Sequence, residues 1–286
     1  MRLLPDLERL PYVRAFARPI RELAARVMGR TIRPQATSRQ EPPAAIPAAT
    51  VDDVQRLDYP KFEIKLRVTS SMERVHRLMS CTKEPWTVEW LESLAPAEVL
   101  YDIGANVGAY SLIAAKRGSF VVAFEPGATT YGRLCENIVL NGCEASIMPV
   151  PLALSDVTGL VGFKYRTLEP GQSRHSIKDG PWQPWQPARP GRYVQPVCAM
   201  RLDDALEQFG LPAPHHLKID VDGAERRLLT GAARTLASRN VRSALIEIAP
   251  ELWRDVVAAC AQAGLRLSDR HQRTEKGPSY ALFTRA

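Results

Sequence analysis

Glycine and acidic residues are grouped at the end of one short apolar run in this sequence. The stretch DIGANVG, Asp102 to Gly108, follows VLY and precedes an amphipathic segment. Gly104 and Gly108 permit backbone angles that side chains forbid, and a missing Cβ leaves the main chain open to a ligand. The free N–H groups of a following helical turn favour a carboxylate, whereas Asp102 favours a cation. The stretch therefore predicts a site for a small molecule that carries charges of both signs.

An acid also stands at the end of the next apolar run, VVAFEP. Glu125 lies about 20 positions beyond Gly104, where nucleotide-binding α/β domains place an acid that accepts both ribose hydroxyls. Pro126 keeps Glu125 extended at the strand tip. The structural alternative for Glu125 is a carboxylate that caps the following helix.

The type of nucleotide follows from what the sequence lacks. A P-loop needs Gly-Lys-Ser/Thr and a dinucleotide fingerprint reads G-x-G-x-x-G, and the stretch at Asp102 has neither pattern. A ligand with a ribose, a carboxylate, an ammonium and a sulfonium fits better, which predicts S-adenosylmethionine. We expect Asp102 to Gly108, with Ala105 and Asn106, to hold its methionine part, and Glu125 to hold its ribose.

A third apolar run ends in ALSD, with Asp156 at its tip. An acid or a backbone amide at this place can bind the amino group of adenine, so Asp156 is a further predicted cofactor residue. A turn that opens before Gly159 explains the same aspartate equally well.

A second acidic group follows another apolar run, in HLKIDVDGAE. Asp220, Asp222 and Glu225 surround Gly223, and three close carboxylates repel one another unless a cation or a shared proton lies among them. Asp220 is the predicted base for an acceptor hydroxyl, and Asp222 and Glu225 are predicted to bind the acceptor. Capping of the next helix and a divalent metal held by Asp220 and Asp222 are the alternatives; the favoured interpretation contains no metal.

Residues 157–200 interrupt the pattern with a Pro/Gly-rich passage, which predicts an active-site cover or a disordered insertion. His175 in this passage is a second candidate base because its ordinary pKa is near neutrality. Trp182 is a candidate platform for a sugar ring. A solvated histidine and ordinary loop packing are the plain alternatives.

The acidic groups lie in a chain that alternates strand and helix signals after residue 98. This alternation predicts an α/β domain with a mostly parallel sheet covered on both faces. The predicted strands are Val99–Ile103, Phe120–Phe124, Ile147–Leu154, His216–Ile219, Ala244–Ile248 and Tyr280–Thr284. The predicted helices are Val107–Lys116, Thr129–Leu140, Leu202–Phe209, Ala224–Leu236 and Leu252–Ala263.

The remaining chain divides into two parts. Residues 1–50 comprise a basic amphipathic helix over 1–34, followed by a Pro/Ala-rich linker. Residues 51–98, the leading segment, contain a predicted strand at Lys61–Val68 and a predicted helix at Glu84–Leu94. Residues 99–286 form the core with its insertion. We expect the N-terminal helix to dock on its own domain or on a sister subunit in a homo-oligomer; the alternatives are an anionic membrane surface and disorder.

Composition bounds the class of protein. The chain has 286 residues, of which 45% are hydrophobic and 24% charged, as in a soluble globular protein. The net charge of +7 comes without an aromatic–basic motif, so no nucleic-acid partner is predicted. Scattered cysteines and no run long enough to cross a bilayer favour a cytoplasmic location, with peripheral contact at the inner membrane surface as the alternative.

Several motifs in order resemble the FkbM family of S-adenosylmethionine-dependent methyltransferases. They are EPWTVEWL, YDIGANVGAYSLIAA, AFEP, LCENIVLNG, VPLALSD, RLDDAL, LKIDVDGAE and ALIEI. Asp222 stands where the family signature has Glu. The resemblance implies a class I methyltransferase fold, Rossmann-like, with a seven-stranded sheet, and cofactor contacts at Asp102, Gly104 and their neighbours and at Glu125.

The resemblance also implies methylation of a hydroxyl on a sugar, a glycolipid or another natural product, so the expected partner is a small-molecule or glycan acceptor. Three alternatives stay open at this stage. They are an N-methyltransferase, a noncatalytic cofactor-binding module of the same fold, and a nicotinamide-dependent oxidoreductase, which the glycine stretch disfavours.

Overall fold

The structure is a computed structural model that describes residues 53–173, 175–177 and 193–285. The predictions for the N-terminal helix, for the linker before residue 51 and for Trp182 lie outside the described residues.

The leading segment packs against the core as a set of short elements. It contains β1 (Val54–Arg56), β2 (Lys65–Arg67), a π-helical turn (Glu73–Arg77), α1 (Ser80–Lys83) and α2 (Pro85–Ser93). Strands β1 and β2 pair antiparallel, so the predicted strand at Lys61–Val68 is present but shorter. The predicted helix at Glu84–Leu94 is confirmed as α2, with Pro85 in its first turn, where a missing N–H costs nothing.

The core alternates strands and helices as predicted. In chain order its first half contains β3 (Val99–Ile103), α3 (Ala109–Lys116), β4 (Phe120–Phe124), α4 (Ala128–Leu140), β5 (Ile147–Val150), β6 (Ala153–Leu154), β7 (Gly159–Lys164), β8 (Ser176–Ile177) and β9 (Val194–Met200). Its second half contains α5 (Leu202–Phe209), β10 (His216–Ile219), α6 (Glu225–Gly231), α7 (Ala233–Ala237), β11 (Ser243–Ile248), a 3₁₀ turn (Pro250–Leu252), α8 (Trp253–Gln262), β12 (Leu265–Gln272) and β13 (Ser279–Arg285).

The main sheet has seven strands in the order β12-β13-β11-β10-β3-β4-β5. Strands β5, β4, β3, β10 and β11 pair in parallel, while β13 runs antiparallel to β11 and β12. The chain reverses its order between β3 and β10, which is the place where such sheets bind ligands. The predicted class I methyltransferase fold is confirmed by this topology.

Both faces of the sheet are covered, as the near-continuous apolar strands predicted. Strand β3 is buried along its whole length and alternates its side chains between two cores. Leu100 belongs to a core formed with α2, α3 and the leading segment. Tyr101 and Ile103 belong to a second core with α5, α6 and α8.

Three predictions for the core need correction. The run Ile147–Leu154 is two strands in two sheets, because Pro151 has no N–H for the ladder and the chain turns there. The predicted helix Ala224–Leu236 breaks after Gly231, since Gly231 is pressed against the backbone of Ser155. Strand β12 was missed because it is an exposed edge strand without a regular apolar pattern.

The insertion contains regular structure. The sequence predicted an active-site cover or a disordered insertion over 157–200, and the described parts of this passage are ordered: together with β6 they form a four-stranded sheet in the order β6-β9-β7-β8. Val161, Phe163, Tyr165 and Val197 build a small core of their own beneath it. The insertion therefore contributes a wall of regular structure beside the ends of the main strands.

Candidate active site

A cavity of about 530 Å³ opens at the carboxyl ends of β3, β4, β10 and β11. Its floor is formed by the ends of these strands, and its walls come from the leading segment, the insertion and the loop between β12 and β13. A concave site of this size at the point where strand order reverses is where an α/β domain binds small molecules.

The glycine turn after β3 is fixed by close backbone packing. Gly104 has φ +84°, and a Cβ at this position would lie 1.9 Å from the carbonyl oxygen of Asp220. The sequence predicted that the missing Cβ of Gly104 makes room for a ligand. The structure shows that the Asp220 backbone occupies the place where this Cβ would lie. The Gly104 main chain still lines the cavity, as does Asn106, whose Nδ2 donates to the Gln172 carbonyl at 2.8 Å.

Glu125 lies at the tip of β4 and is 6% exposed. Its Oε2 accepts a hydrogen bond from the Asn106 N–H at 3.1 Å, and its Oε1 accepts one from the Gly127 N–H at 2.9 Å. Burial raises the pKa of this carboxyl to about 7, against the lowering effects of these N–H donors and of Arg77. Glu125 lines the cavity and is aligned by the glycine turn, so a diol at this place would meet a preorganised acceptor.

Asp102, by contrast, lies behind the cavity wall and is fully buried. Its Oδ2 accepts the Ser111 hydroxyl proton at 2.6 Å, and its Oδ1 lies 3.5 Å from Nζ of Lys218. Burial alone would lower the pKa of Lys218, but Asp102 and Asp220 together raise it, so the lysine stays charged. The structure therefore gives Asp102 a pairing role within the sheet and does not favour direct ligand contact.

Two other predicted cofactor residues, Ala105 and Gly108, also lie off the cavity wall. Ala105 is buried and donates its N–H to the Phe124 carbonyl at 3.0 Å. Gly108, with φ +89°, starts α3, and a Cβ there would lie 2.6 Å from Cδ1 of Leu134. Its place in helix packing agrees with the sequence interpretation, but it does not reach the cavity.

Asp156 does not line the cavity and is instead paired with Arg227 of α6. Its Oδ1 accepts hydrogen bonds from Nε of Arg227 at 2.8 Å and from the Ser155 hydroxyl at 3.0 Å. Burial would raise the pKa of Asp156, but the Arg227 and Ser155 hydrogen bonds lower it overall. The cavity wall also includes apolar residues from β4 and the loop after it, from the loop and strand after β5, and from β7, namely Phe124, Pro126, Leu152, Ala153, Leu154 and Phe163.

Asp220 lies at the end of β10 beside Glu247 of β11, because the register pairs Ile219 with Ile246. Both side chains line the cavity, and they hydrogen-bond to each other. Nζ of Lys218 lies 3.5 Å from Oδ2 of Asp220. The two half-buried carboxyls and the buried lysine thus form one polar group on the cavity floor.

The two carboxyls hold their protons differently. Burial would raise the pKa of Asp220, but Lys218 and the Glu247 hydrogen bond lower it, so Asp220 is ionised. Burial and the charge of Asp220 raise the pKa of Glu247 to about 9. At neutral pH Glu247 therefore donates its proton to Asp220. Glu247 was not singled out from the sequence; the only signal was a charged residue inside the apolar run ALIEI.

Asp222 and Glu225 both line the cavity at the start of α6. Asp222 has φ +50°, a left-handed conformation, and Gly223 follows it just before α6 begins. Oε1 of Glu225 accepts the Gly223 N–H at 2.9 Å, while its buried Oε2 has no hydrogen-bond partner among the described residues. Burial raises the pKa of Glu225 to about 7. The capping alternative thus holds for one oxygen of Glu225, and the other is left for a ligand.

His175 also lines the cavity, between the rings of Phe163 and Tyr165. Its Nδ1 accepts the Arg166 N–H at 3.2 Å, so Nε2 carries the proton of the neutral ring. Nε2 is buried without a partner in the described part of the chain. Burial and the charge of Arg77 lower the pKa of His175. This tautomer makes His175 a hydrogen-bond donor, which does not favour its predicted role as base.

The cavity wall includes four cations that the sequence interpretation missed, namely Arg77, Lys83, Arg273 and Lys276. They belong to the leading segment and to the loop between β12 and β13, which carry no ligand-binding pattern of their own. Within residues 53–173, 175–177 and 193–285, no cluster of three metal-ligating side chains is present. In the same ranges, no helix combines the length and the apolar character needed to cross a membrane.

The chain resembles characterised methyltransferases in sequence. It is 25% identical over 171 residues to hexuronic acid methyltransferase AglP of Haloferax volcanii, covering 59% of this chain and 65% of that protein. It is 29% identical over 160 residues to 31-O-demethyl-FK506 methyltransferase FkbM of Streptomyces tacrolimicus, covering 48% and 60%. The match thus spans less than two thirds of the length of each of these relatives.

Solved structures that are similar to this chain include other methyltransferases. Methyltransferase FkbM from Methylobacillus flagellatus has a TM-score of 0.46 at 15% identity, with 66% of this chain and 44% of that chain covered. Magnesium protoporphyrin IX methyltransferase from Synechocystis, solved with bound SAM, has a TM-score of 0.47 at 11% identity, with 76% and 85% covered.

The family model for the methyltransferase FkbM domain matches residues 102–266. This segment begins in β3 and includes the glycine turn, Glu125, the carboxyl pair of Asp220 and Glu247, and the start of α6. It covers more than half of the chain, and so the protein belongs to the FkbM methyltransferase domain family.

Proposed function

We propose that this protein is an S-adenosylmethionine-dependent methyltransferase that acts on a hydroxyl group of a sugar or a related natural product. The observation that carries the proposal is the contact between Glu125 and the Asn106 N–H. It places a buried carboxyl and the glycine turn on one cavity, at the point where strand order reverses. Membership of the FkbM family supports the same activity.

The residues on the cavity wall suit the parts of this methyl donor. Glu125 offers two carboxyl oxygens to a ribose diol, and the apolar patch around Phe124, Leu154 and Phe163 offers a surface for adenine. The ionised Asp220 suits the positive charge of a sulfonium or an ammonium. When bound, S-adenosylmethionine supplies a methyl group activated by its sulfonium.

Asp220 is the group that we propose to receive the acceptor's proton. An alcohol oxygen becomes strongly acidic as it gains the methyl group as a third substituent, so even a carboxylate of low pKa can take its proton late in the transfer. Glu247 and Lys218 hold Asp220 in position from two sides. The site then works mainly by aligning the acceptor oxygen with the methyl group.

The acceptor is proposed to lie between Asp222 and Glu225 and the loop between β12 and β13. Asp222 and Glu225 can accept hydrogen bonds from sugar hydroxyls, and Arg273 and Lys276 on the facing loop can bind an acidic sugar. Haloferax volcanii AglP, named as a hexuronic acid methyltransferase, is consistent with a carboxylate-bearing sugar. The leading segment and the insertion are proposed to select the acceptor, since both contribute side chains to the cavity wall and the leading segment lies outside the matched residues 102–266.

The first test is calorimetry of the full chain with S-adenosylmethionine, S-adenosylhomocysteine and NADH. We expect both adenosyl compounds to bind and NADH not to bind; the reverse order would refute the proposal. The second test is transfer of a labelled methyl group to glucuronic acid, galacturonic acid and their neutral counterparts. NMR of the labelled product separates an O-methyl from an N-methyl group, and binding without turnover on the whole panel would support a noncatalytic module instead.

A further inference from the structure

The four cations of the cavity wall differ in the partners that they have among the described residues. Lys83 forms an ion pair with Glu84 at 2.7 Å, and Arg273 hydrogen-bonds to Tyr280. In the described part of the chain, by contrast, no carboxylate lies within ion-pair distance of Arg77. Its Nε donates to the Gly171 carbonyl at 2.7 Å, and its two terminal nitrogens make no hydrogen bond to a described residue.

The stem of Arg77 lies beside the glycine turn. Gly171 has φ +80°, and a Cβ there would lie 3.4 Å from Cγ of Arg77 and 3.6 Å from Cγ1 of Val107. Gly171 therefore separates the arginine stem from the turn by little more than one atom layer. Arg77 is thus the cavity cation that lies next to residues 104–108.

The charge of Arg77 reaches both ends of the cavity. It lowers the pKa of Glu125 at the tip of β4 and the pKa of Asp220 at the tip of β10. It also contributes to the lowered pKa of His175 on the opposite wall. Arg77 lines the cavity, and its charge therefore acts on three groups that belong to different elements of the cavity wall.

The turn that carries Arg77 is anchored to the core. Glu73 at the start of the turn forms a buried ion pair with Arg133 of α4 and accepts the N–H groups of Thr69 and Ser70 at 2.9 and 3.0 Å. Nη2 of Arg133 also donates to the Thr69 hydroxyl at 2.9 Å. A cation on such an anchored turn is preorganised, which is what a bidentate anion contact requires.

We propose that Arg77 binds the α-carboxylate of the methionine part of S-adenosylmethionine. This inference rests on the proposed function. The carboxylate is the anionic group of that ligand, and a cavity with several carboxyls on its floor needs a cation to hold it. Arg77 belongs to the leading segment, outside the matched residues 102–266, so neither the family pattern nor the sequence motifs assign it.

The test compares S-adenosylmethionine with decarboxylated S-adenosylmethionine, which keeps the sulfonium and the ammonium and lacks only the carboxylate. Calorimetry measures both affinities for the full wild-type chain and for Arg77→Ala, Arg77→Lys and Arg74→Ala. Arg74 lies in the same turn and is exposed, which makes it the matched control. A charge-assisted bidentate contact predicts that Arg77→Ala weakens S-adenosylmethionine binding about 10- to 100-fold and does not weaken binding of the decarboxylated analogue.

Arg77→Lys should keep part of the preference for the carboxylated ligand, and Arg74→Ala should keep all of it. Equal weakening of both ligands by Arg77→Ala would overturn the inference, because it would show a role in folding or shape. Unchanged affinity for S-adenosylmethionine would overturn it too and would assign Arg77 to the acceptor. If wild type binds neither ligand, the proposed function itself has failed, so the two failures are distinguishable.

Discussion

The carboxyl of Glu125 accepts a hydrogen bond from the backbone N–H of Asn106 at 3.1 Å, so the tip of β4 is tied to the glycine turn that follows β3. Asn106 itself has φ +52°, an uncommon conformation for a residue with a side chain. Its Nδ2 is held by the Gln172 carbonyl. One carboxyl is thus aligned by two loops that are distant in sequence.

This alignment predicts that Glu125→Gln weakens binding of S-adenosylhomocysteine by about tenfold or more, because an amide offers one acceptor oxygen where the ionised carboxyl offers two. Calorimetry with the full chain measures the change. Glu251→Gln is the control, since Glu251 lines the same cavity at an exposed site in the 3₁₀ turn. Equal losses in both variants would argue against a specific role for Glu125.

Proton release provides a second prediction for Glu125. Its pKa is raised to about 7, and a diol that donates both hydroxyls needs the ionised form. Ligand binding should therefore release a proton near pH 7, and affinity should fall by up to about tenfold per pH unit below it. Calorimetry in two buffers of different ionisation enthalpy counts the protons. The release should disappear in Glu125→Gln and persist in Glu225→Gln, whose wild-type pKa is also about 7; the opposite pattern would refute the assignment.

The raised pKa of Glu247 predicts that the free energy of unfolding depends on pH. Its pKa is raised to about 9 by burial and by Asp220, above the unfolded value of 4.5, so the folded protein binds an extra proton between these pH values. Wild-type stability should therefore fall as pH rises through this window. Glu247→Gln keeps a donor for Asp220 and removes the titration. The free energy of unfolding of this variant, relative to that of wild type, should therefore increase by on the order of 2 kcal/mol between pH 5 and pH 9. Urea unfolding at a series of pH values measures it, and the exposed Glu144→Gln should show no such trend.

Three glycines separate the effects of backbone strain and of close packing. Gly142 has φ +61° with nothing near a Cβ, Gly231 lies within α6 with a Cβ position 1.9 Å from the Ser155 carbonyl oxygen, and Gly104 combines both features. Gly142→Ala should cost about 1 kcal/mol and Gly104→Ala about 4 kcal/mol or more, with Gly231→Ala between them. Urea unfolding followed by circular dichroism ranks the variants. A Gly104→Ala cost no larger than that of Gly142→Ala would contradict the packing seen at Asp220.

The ion pair between Glu73 and Arg133 predicts coupling between the leading segment and α4. Both side chains are buried, so Arg133→Met leaves the Glu73 carboxylate without its partner and should cost about 3–5 kcal/mol. Adding Glu73→Gln removes the stranded charge and should restore part of this loss. A double-mutant cycle in urea measures the coupling, and strictly additive effects would show that the pair contributes nothing.

The sequence predicted the strands next to the cavity better than the chemistry inside it. Val99–Ile103, Phe120–Phe124 and His216–Ile219 have the predicted bounds because buried parallel strands are apolar throughout and end at glycine, proline or acidic residues. The exposed pattern of β12 carried no such signal. Local pattern is therefore informative where burial on both faces leaves little choice of residue.

The site residues depended on contacts that sequence distance hides. Glu247 meets Asp220 only through the register of β10 and β11, and Arg77 meets the glycine turn only through the fold of the leading segment. Asp102 was assigned to the ligand because it ends an apolar run, but the pleat of β3 directs it to Ser111 and Lys218. The face of the sheet to which a strand residue points, and the segments that pack together, depend on the whole fold.

The contact between Gly104 and the Asp220 backbone has a consequence for how members of such a family can diversify. The Asp220 carbonyl oxygen occupies the place that a Cβ of Gly104 would need. This backbone contact connects the part of the cavity proposed to hold the methyl donor with the part proposed to hold the acceptor. Neither part can be widened or shifted without disturbing the other. We therefore expect new specificity to arise in the loop that carries Arg273 and in the sheet inserted after β5. Both can change in length while the contact between Gly104 and Asp220 is kept.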